Sequence, residues 1–198
     1  MKFASILLTG LAVAAVSTAT LGAQTGTLKI ASANVTITGT TNVHGYTAAT
    51  KTVRLTSVKT GAFDGDLMNL AATPALLEAF EIAIPAASLH STKDGIDKNM
   101  HKALKTDRFA DITFRMTSTQ KTGAGVRALG TLTIAGVSRE IVLDLTATRA
   151  GSNLLVAGEI PLLMTDYGIT PPKAMLGMMK TDPRITIALE LVLAASGS

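Results

Sequence analysis

Three histidines are the side chains of this 198-residue sequence that titrate near neutral pH without help from their surroundings. They are His44, His90 and His101, and their spacing matches no paired metal-ligand motif. His101 stands among lysines on a predicted helix, which favours a solvated basic face over a contact with an anionic head group. The histidines therefore predict neither a catalytic site nor a metal site, and a histidine-based enzyme or metal protein is kept only as an alternative.

Nucleophilic and redox chemistry has few candidate residues in this chain. There is no cysteine, so a thiol nucleophile, a thiolate metal site and a disulfide framework are excluded. No serine stands in a Gly-x-Ser-x-Gly motif. Asp64 and Asp66 resemble the start of a calcium loop, but Met68 and Leu70 cannot continue the ligand series, so we interpret this segment as a turn. We predict that the protein is not an enzyme.

The segment 164–179 is the least ordinary part of the sequence, because it combines two adjacent prolines with four methionines. The prolines prevent a regular strand ladder there. Methionine packs adaptably around irregular apolar shapes, so the segment is expected to border an apolar pocket. A copper(I) thioether site at Met175, Met178 and Met179 is the less favoured alternative.

Composition narrows the class of protein further. The first 23 residues combine a positive start, an apolar run and a small residue before Gln24, and this pattern predicts a signal peptide cleaved near Ala23. We therefore expect a periplasmic or secreted protein whose single mature domain, residues 24–198, has no membrane-spanning segment. Five Phe, two Tyr and no Trp leave too few rings for a nucleic-acid platform, and the charge of +4 is spread along the chain.

Alternation with a period of two dominates the mature chain and predicts strands that each bury one face. In residues 112–117, for example, Ile112, Phe114 and Met116 share one face, while threonines and Arg115 share the other. Nine such segments are centred near Leu28, Val35, Val53, Phe80, Ile112, Leu132, Ile141, Leu155 and Ile185. This is enough to close a barrel, although periodicity alone does not distinguish a barrel from a sandwich.

Two segments interrupt the alternation. Residues 94–105 are predicted to form an amphipathic helix with Asp97 as its N-cap. A shorter helical turn is predicted around Pro74, between residues 72 and 78.

The motifs taken together resemble the YceI-like family of periplasmic, lipocalin-like proteins. Four segments carry the resemblance: residues 39–46 (GTTNVHGY), 100–114 (MHKALKTDRFADITF), 130–143 (GTLTIAGVSREIVL) and 166–173 (DYGITPPK). One departure is Asp111, which stands where many members of the family have proline. The resemblance implies an all-β fold, a single antiparallel eight-stranded lipocalin-like barrel with one short α-helix between strands.

The resemblance also implies a function, the binding or transport of a long amphipathic lipid such as an isoprenoid quinone or polyprenyl chain. No other cofactor is expected, nor is a nucleic-acid partner, and a homodimer is left open. A stress-related structural protein with a filled core remains a further alternative. The expected lining and mouth residues are Phe80, Ile82, Ile112, Phe114, Met116, Leu132, Ile134, Ile141, Leu143, Met164, Tyr167, Met175 and Met178. The expected contacts to the lipid head group are Asn42, His44, His101 and Lys102.

Overall fold

Antiparallel strands make up most of the fold. A computed structural model of the chain describes residues 27–123 and 125–196, so the predicted signal peptide lies outside the described residues. The strands are β1 (Thr27–Thr41), β2 (Gly45–Thr50), β3 (Arg54–Thr60), β4 (Leu77–Pro85), β5 (His90–Ser91), β6 (Asp111–Lys121), β7 (Gly125–Ile134), β8 (Val137–Ala150), β9 (Asn153–Leu163), β10 (Lys173–Ala174) and β11 (Met179–Ser196). The helices are α1 (Leu67–Ala72) and α2 (Asp94–Leu104), with 3-10 helices at Pro74–Leu76, Ala86–Ser88, Met164–Tyr167 and Met175–Gly177.

One continuous sheet curls around the core. Its strand order is β3-β4-β6-β7-β8-β9-β11-β1-β2-β5, and β10 pairs only with β11. The curl brings β3 against β1, where Ile30 and Leu55 line the same shallow groove. The described parts of β1 and β3 form no ladder with each other, so the sheet is a curled half-barrel with a groove at this seam.

The all-β prediction is confirmed, but the number of strands differs from eight. The segments near Leu28 and Val35 belong to one long strand, β1, whose pairing with β11 shifts between Ile30 and Ser32. Strand β2 is additional; its sequence GYTAAT lacks the large apolar side chains that reveal the other strands. The described residues also contain two α-helices rather than one.

Helix α1 packs over one end of the half-barrel, and its Leu67 and Leu70 are buried there. Asp66 is its N-cap and accepts a hydrogen bond from the Met68 amide at 2.9 Å. Asp66 also accepts two hydrogen bonds from Arg149 of β8, which ties the helix to the sheet. The aspartates that resemble a calcium loop therefore form a capped turn, as the sequence suggested. The helical turn expected around Pro74 is the 3-10 helix that follows.

Helix α2 covers the other end and matches the predicted range within one residue. Its first turn differs from the prediction, because the N-cap is Lys93 and Asp97 lies one turn inside the helix. Asp97 instead accepts hydrogen bonds from the Ser91 amide at 2.6 Å and from His90 Nδ1 at 3.0 Å. These bonds fasten α2 to β5. In the described ranges, no helix has the length and apolar character that crossing a bilayer requires.

Candidate functional site

Three adjoining cavities follow the interior of the half-barrel from α2 to α1. We call them the mouth, middle and floor cavities, and their volumes are about 140, 60 and 100 Å³ respectively. Ile37 and Ile112 line both the mouth and the middle cavity. Phe114 and Leu143 line both the middle and the floor cavity. Because neighbouring cavities share wall residues, they lie in succession along the core, and we call this succession of cavities the path.

Strand β11 runs the length of this path and indicates how long it is. Ile185 lines the mouth cavity, and Leu193, eight positions later, lines the floor cavity. At about 3.4 Å per residue, the strand covers about 27 Å between them. The interior is therefore deep and narrow, a shape that fits an extended chain better than a compact ligand.

The polar side chains of the path are concentrated at the mouth. Every residue that lines the middle cavity is Val, Ile, Leu or Phe. The floor cavity adds one polar side chain, Thr119, whose hydroxyl donates to the Pro74 carbonyl oxygen at 2.8 Å. The polar residues of the mouth cavity are Thr41, His44, Tyr46, Asn99, Tyr167, Lys173 and Thr181. This gradient suits an amphipathic molecule with its apolar tail inside and its polar end at the mouth.

The 3-10 helix Met164–Tyr167 places two residues in the mouth wall. Strands β8 and β9 pair only between residues 146–150 and 153–157, so they separate toward the mouth. The 3-10 helix contacts both strands there, and Arg139 Nε of β8 donates to the Asp166 carbonyl oxygen at 2.9 Å. Met164 and Tyr167 are buried as a result. The 3-10 helix in this gap between the strands thus also forms part of the mouth wall.

Tyr167 is chemically unusual because its hydroxyl is buried without a hydrogen-bond partner among the described residues. Only 2% of the residue is exposed. Burial raises the pKa of the phenol, and the nearby Asp166 raises it further, while Arg139 acts in the opposite direction. The hydroxyl therefore keeps its proton near neutral pH. A buried donor without an acceptor costs about 1–3 kcal/mol, so it needs an explanation.

The turn between β1 and β2 contributes another part of the mouth wall. The Thr41 hydroxyl oxygen accepts hydrogen bonds from the amides of Val43 and His44 at 3.1 and 3.0 Å. His44 Nδ1 lies 2.9 Å from the Gly45 carbonyl oxygen, which can only accept, so this nitrogen carries the proton. In the neutral ring, Nε2 is then left as an acceptor.

Tyr46 lies beside this turn and depends on a neighbouring glycine. A methyl group at Gly39 would collide with the Tyr46 ring and hydroxyl, so the ring can occupy this position only because Gly39 has no side chain. Burial, and to a smaller extent Asp182, raises the pKa of Tyr46, so this phenol is also neutral.

Most of the predicted lining residues lie in the cavity walls. The middle and floor walls contain Phe80, Ile82, Ile112, Phe114, Met116, Leu132, Ile141 and Leu143, and the mouth wall contains Ile134, Met164 and Tyr167. The Met175 side chain is outside the described part of the structure. Met178 does not line a cavity and is 68% exposed. Side chains alternate along an extended segment, and Met179 is the neighbour that faces the mouth.

The expected head-group contacts are brought together only in part. His44 lines the mouth cavity, but Asn42, His101 and Lys102 do not. The Asn42 side chain bonds the Met178 carbonyl oxygen and the Lys180 amide. Lys102 is exposed on the outer side of α2. The cavity face of this helix contains Ile96, Asn99, Met100, Ala103 and Leu104, and neighbouring helical positions point elsewhere.

The side chains of His101 and His90 make contacts within the protein that hold α2 in place. His101 Nε2 lies 2.8 Å from the Leu89 carbonyl oxygen, and the His101 ring packs edge-on against His90. The pKa of Asp97 falls to about 2, mainly because Ser91 donates hydrogen bonds to it, with His90 adding to the shift. Within residues 27–123 and 125–196, no three His, Asp or Glu side chains are grouped to hold a metal ion.

Several wall residues were not among the sequence candidates. Ile37, Ile185 and Ile187 lie on strands whose alternation was visible, and Tyr46 lies within the quoted motif GTTNVHGY. Lys173 is the last residue of the quoted motif DYGITPPK, whereas Asn99 had no local signal, because only the packing of α2 brings it to the mouth.

A curled antiparallel sheet around an apolar interior defines a barrel-like class of β-proteins. Within that class, the chain belongs to the YceI-like family, since the model of the YceI-like domain matches residues 9–193. No curated protein matches the chain.

Solved structures show the same fold at low sequence identity. BcnA from Burkholderia cenocepacia is 16% identical with a TM-score of 0.64, covering 81% of this chain and 95% of BcnA. A polyisoprenoid binding domain from Saccharophagus degradans, implicated in plant cell wall breakdown, is 12% identical with a TM-score of 0.63, covering 85% and 98%. The YceI protein of Campylobacter jejuni is 19% identical with a TM-score of 0.52, covering 74% and 85%.

Proposed function

We propose that this protein binds and carries one long-chain amphipathic lipid, an isoprenoid quinone or a similar polyprenyl chain, inside the half-barrel. The observation that carries the proposal is the succession of adjoining cavities, from a mouth with polar side chains in its wall to an apolar middle and floor. The similarity to a polyisoprenoid binding domain supports the same class of ligand.

The energetics favour an uncharged chain in the interior. Apolar surface removed from water contributes about 25 cal/mol per Å². No charged residue lines the middle or floor cavity, so a charged group placed there would lose its hydration without a counter-ion. The tail therefore occupies these two cavities and the head group stays in the mouth.

The mouth favours a head group with a neutral acceptor oxygen, such as a quinone carbonyl. Tyr167 lines the mouth cavity and its hydroxyl is a buried donor that lacks an acceptor, which a ligand oxygen that reaches this hydroxyl would supply. Tyr46 and His44 complete the polar surroundings. The protein acts as a binding protein, in the periplasm or outside the cell if residues 1–23 are cleaved as a signal peptide.

Extraction of the natively purified protein with organic solvent, followed by mass spectrometry, tests the proposal. We expect one lipid class at close to one molecule per chain. Protein delipidated afterwards should take up a hydrophobic fluorescent probe and release it when a quinone with an isoprenoid tail is added. If no lipid copurifies and no probe is taken up, a structural protein with a filled core becomes the better description.

Tyr167→Phe tests the head-group contact separately from the tail. Losing one neutral hydrogen bond costs about 1 kcal/mol, so the Kd for the quinone should rise roughly fivefold. Binding of a hydrocarbon with the same tail should not change. Thr181→Val, which removes another mouth hydroxyl, serves as the matched comparison. Equal losses for quinone and hydrocarbon in Tyr167→Phe would show that the hydroxyl does not contact the head group.

A further inference from the structure

Three exposed apolar side chains project beside the mouth cavity. Val43 is 66% exposed, Met178 68%, and Leu176 fully exposed. The exposed large hydrophobic residues of the described chain number five, and these three are on two adjacent loops. Single exposed apolar residues are normal, but a cluster at the entrance to an apolar cavity indicates an interaction surface.

Hydrogen bonds hold the two loops together. Asn42 Nδ2 donates to the Met178 carbonyl oxygen at 3.0 Å, and the Lys180 amide donates to Asn42 Oδ1 at 2.8 Å. The Asn42 backbone amide also donates to the Lys180 carbonyl oxygen at 3.0 Å. Met178 is itself one of the bonded residues and Val43 directly follows Asn42, so these apolar side chains are presented by a preformed structure. We call Val43, Leu176 and Met178, with the loops that carry them, the mouth tip.

Leucine is unfavourable at position 176 for two reasons. It is fully exposed, and its backbone has a φ of 54°, a left-handed conformation that glycine or asparagine adopts more easily. Neither folding nor solubility favours leucine over glycine there. The residue is accounted for if its side chain becomes buried in an apolar phase outside the protein.

Two lysines give the mouth tip a positive charge. Lys173 and Lys180 lie directly opposite each other in the β10–β11 ladder, both exposed. Like charges in this position repel, and neither lysine forms an ion pair within the described ranges. The nearest acid along the strand, Asp182, accepts a hydrogen bond from the Arg184 amide. An anionic partner would relieve the repulsion.

From these observations we propose that the mouth tip docks on the surface of a bilayer that contains anionic phospholipid. Val43, Leu176 and Met178 enter the boundary between head groups and acyl chains, and Lys173 and Lys180 contact the phosphates. The mouth cavity then faces the membrane. This goes beyond ligand binding, because it identifies the surface from which a ligand is taken or to which it is delivered.

Vesicle flotation tests the docking surface with the whole protein. We expect the protein to float with phosphatidylcholine vesicles that contain phosphatidylglycerol, and to float less with phosphatidylcholine alone. The triple variant V43S/L176S/M178S should bind at least about tenfold more weakly. Val142→Ser is the matched control, because Val142 is 55% exposed on β8 and lies outside the mouth tip. It should bind like the unaltered protein.

The double variant K173Q/K180Q measures how much the two lysine charges contribute to vesicle binding. Binding to the anionic vesicles should fall about fivefold for each lysine, with little change on neutral vesicles. Failure of the unaltered protein to bind either vesicle would overturn docking, as would unchanged binding by the triple variant. A concentration-dependent dimer that V43S/L176S/M178S abolishes would also overturn it, in favour of a second copy as the partner.

Uptake of a soluble hydrophobic probe separates this proposal from ligand binding. The triple variant should take up the probe in solution as well as the unaltered protein does, since none of the three residues lines a cavity. Protein that binds vesicles but never takes up probe would refute the lipid-carrier function and support docking. The reverse result would refute docking alone.

Discussion

The floor cavity gives a direct way to test how far a bound chain reaches. Ala128 of β7 lines this cavity and is 4% exposed. The substitution Ala128→Leu adds three carbon atoms in a space of about 100 Å³. At about 0.8 kcal/mol per buried carbon, the free energy of unfolding should rise by up to about 2 kcal/mol if the side chain fits without strain.

The same substitution should weaken the binding of long chains only. Each methylene displaced from the floor loses about 0.8 kcal/mol, or roughly fourfold in Kd. Displacing three methylenes should therefore raise the Kd by roughly fiftyfold. A shorter lipid with the same head group, ending in the middle cavity, should bind Ala128→Leu and the unaltered protein equally.

Calorimetric titration with lipids of one head group and increasing tail length measures this effect, and thermal unfolding measures the stability. Ala157→Leu is the control, because Ala157 lies on the outer face of β9, opposite Glu190. It adds the same bulk outside the cavities. If Ala128→Leu weakens short and long tails equally, or weakens neither, the ligand does not lie along the path from mouth to floor.

Three further predictions concern the ends of the half-barrel. Asp97→Asn should lower the free energy of unfolding by roughly 1.5–2 kcal/mol at pH 7. The pKa of Asp97 in the folded protein is about 2, below its usual value, so its stabilisation is complete above about pH 4 and is lost as the pH falls through 2. Chemical denaturation between pH 4 and pH 2 should therefore show the free energies of unfolding of Asp97→Asn and the unaltered protein becoming equal. Leu67→Ala, at the buried face of α1, should cost about 2–5 kcal/mol, measured by urea titration. Gly39→Ala should displace Tyr46 and alter its fluorescence, and an unchanged spectrum would contradict the packing described.

The large apolar strands were predictable because each has its own period-two pattern. Strands β6, β7 and β8 pair consecutively, as the alternation between residues 112 and 148 indicated. Strands β5 and β10 have two residues each, too few to show a period, and they exist because neighbouring strands pair with them. Propensity signals cannot reveal elements that only tertiary contacts create.

The mouth was harder to predict than the walls for a similar reason. Wall positions follow from alternation, but the polar mouth is assembled from the β1–β2 turn, α2, a 3-10 helix and β10. His44 and His101 were both expected to contact the head group, yet only His44 lines the cavity. The difference depends on which face α2 turns inward, and His101 is turned toward the Leu89 carbonyl oxygen instead.

The two ends of the half-barrel differ in a way that gives the proposed binding a direction. At the floor, α1 buries Leu67 and Leu70 and is held to the sheet by Asp66 and Arg149. At the mouth, polar side chains line the cavity and the apolar mouth tip stands beside it. A lipid loaded through the mouth would enter tail first, and its head group would remain near Tyr167. The mouth is then on the side where the protein is proposed to meet the membrane.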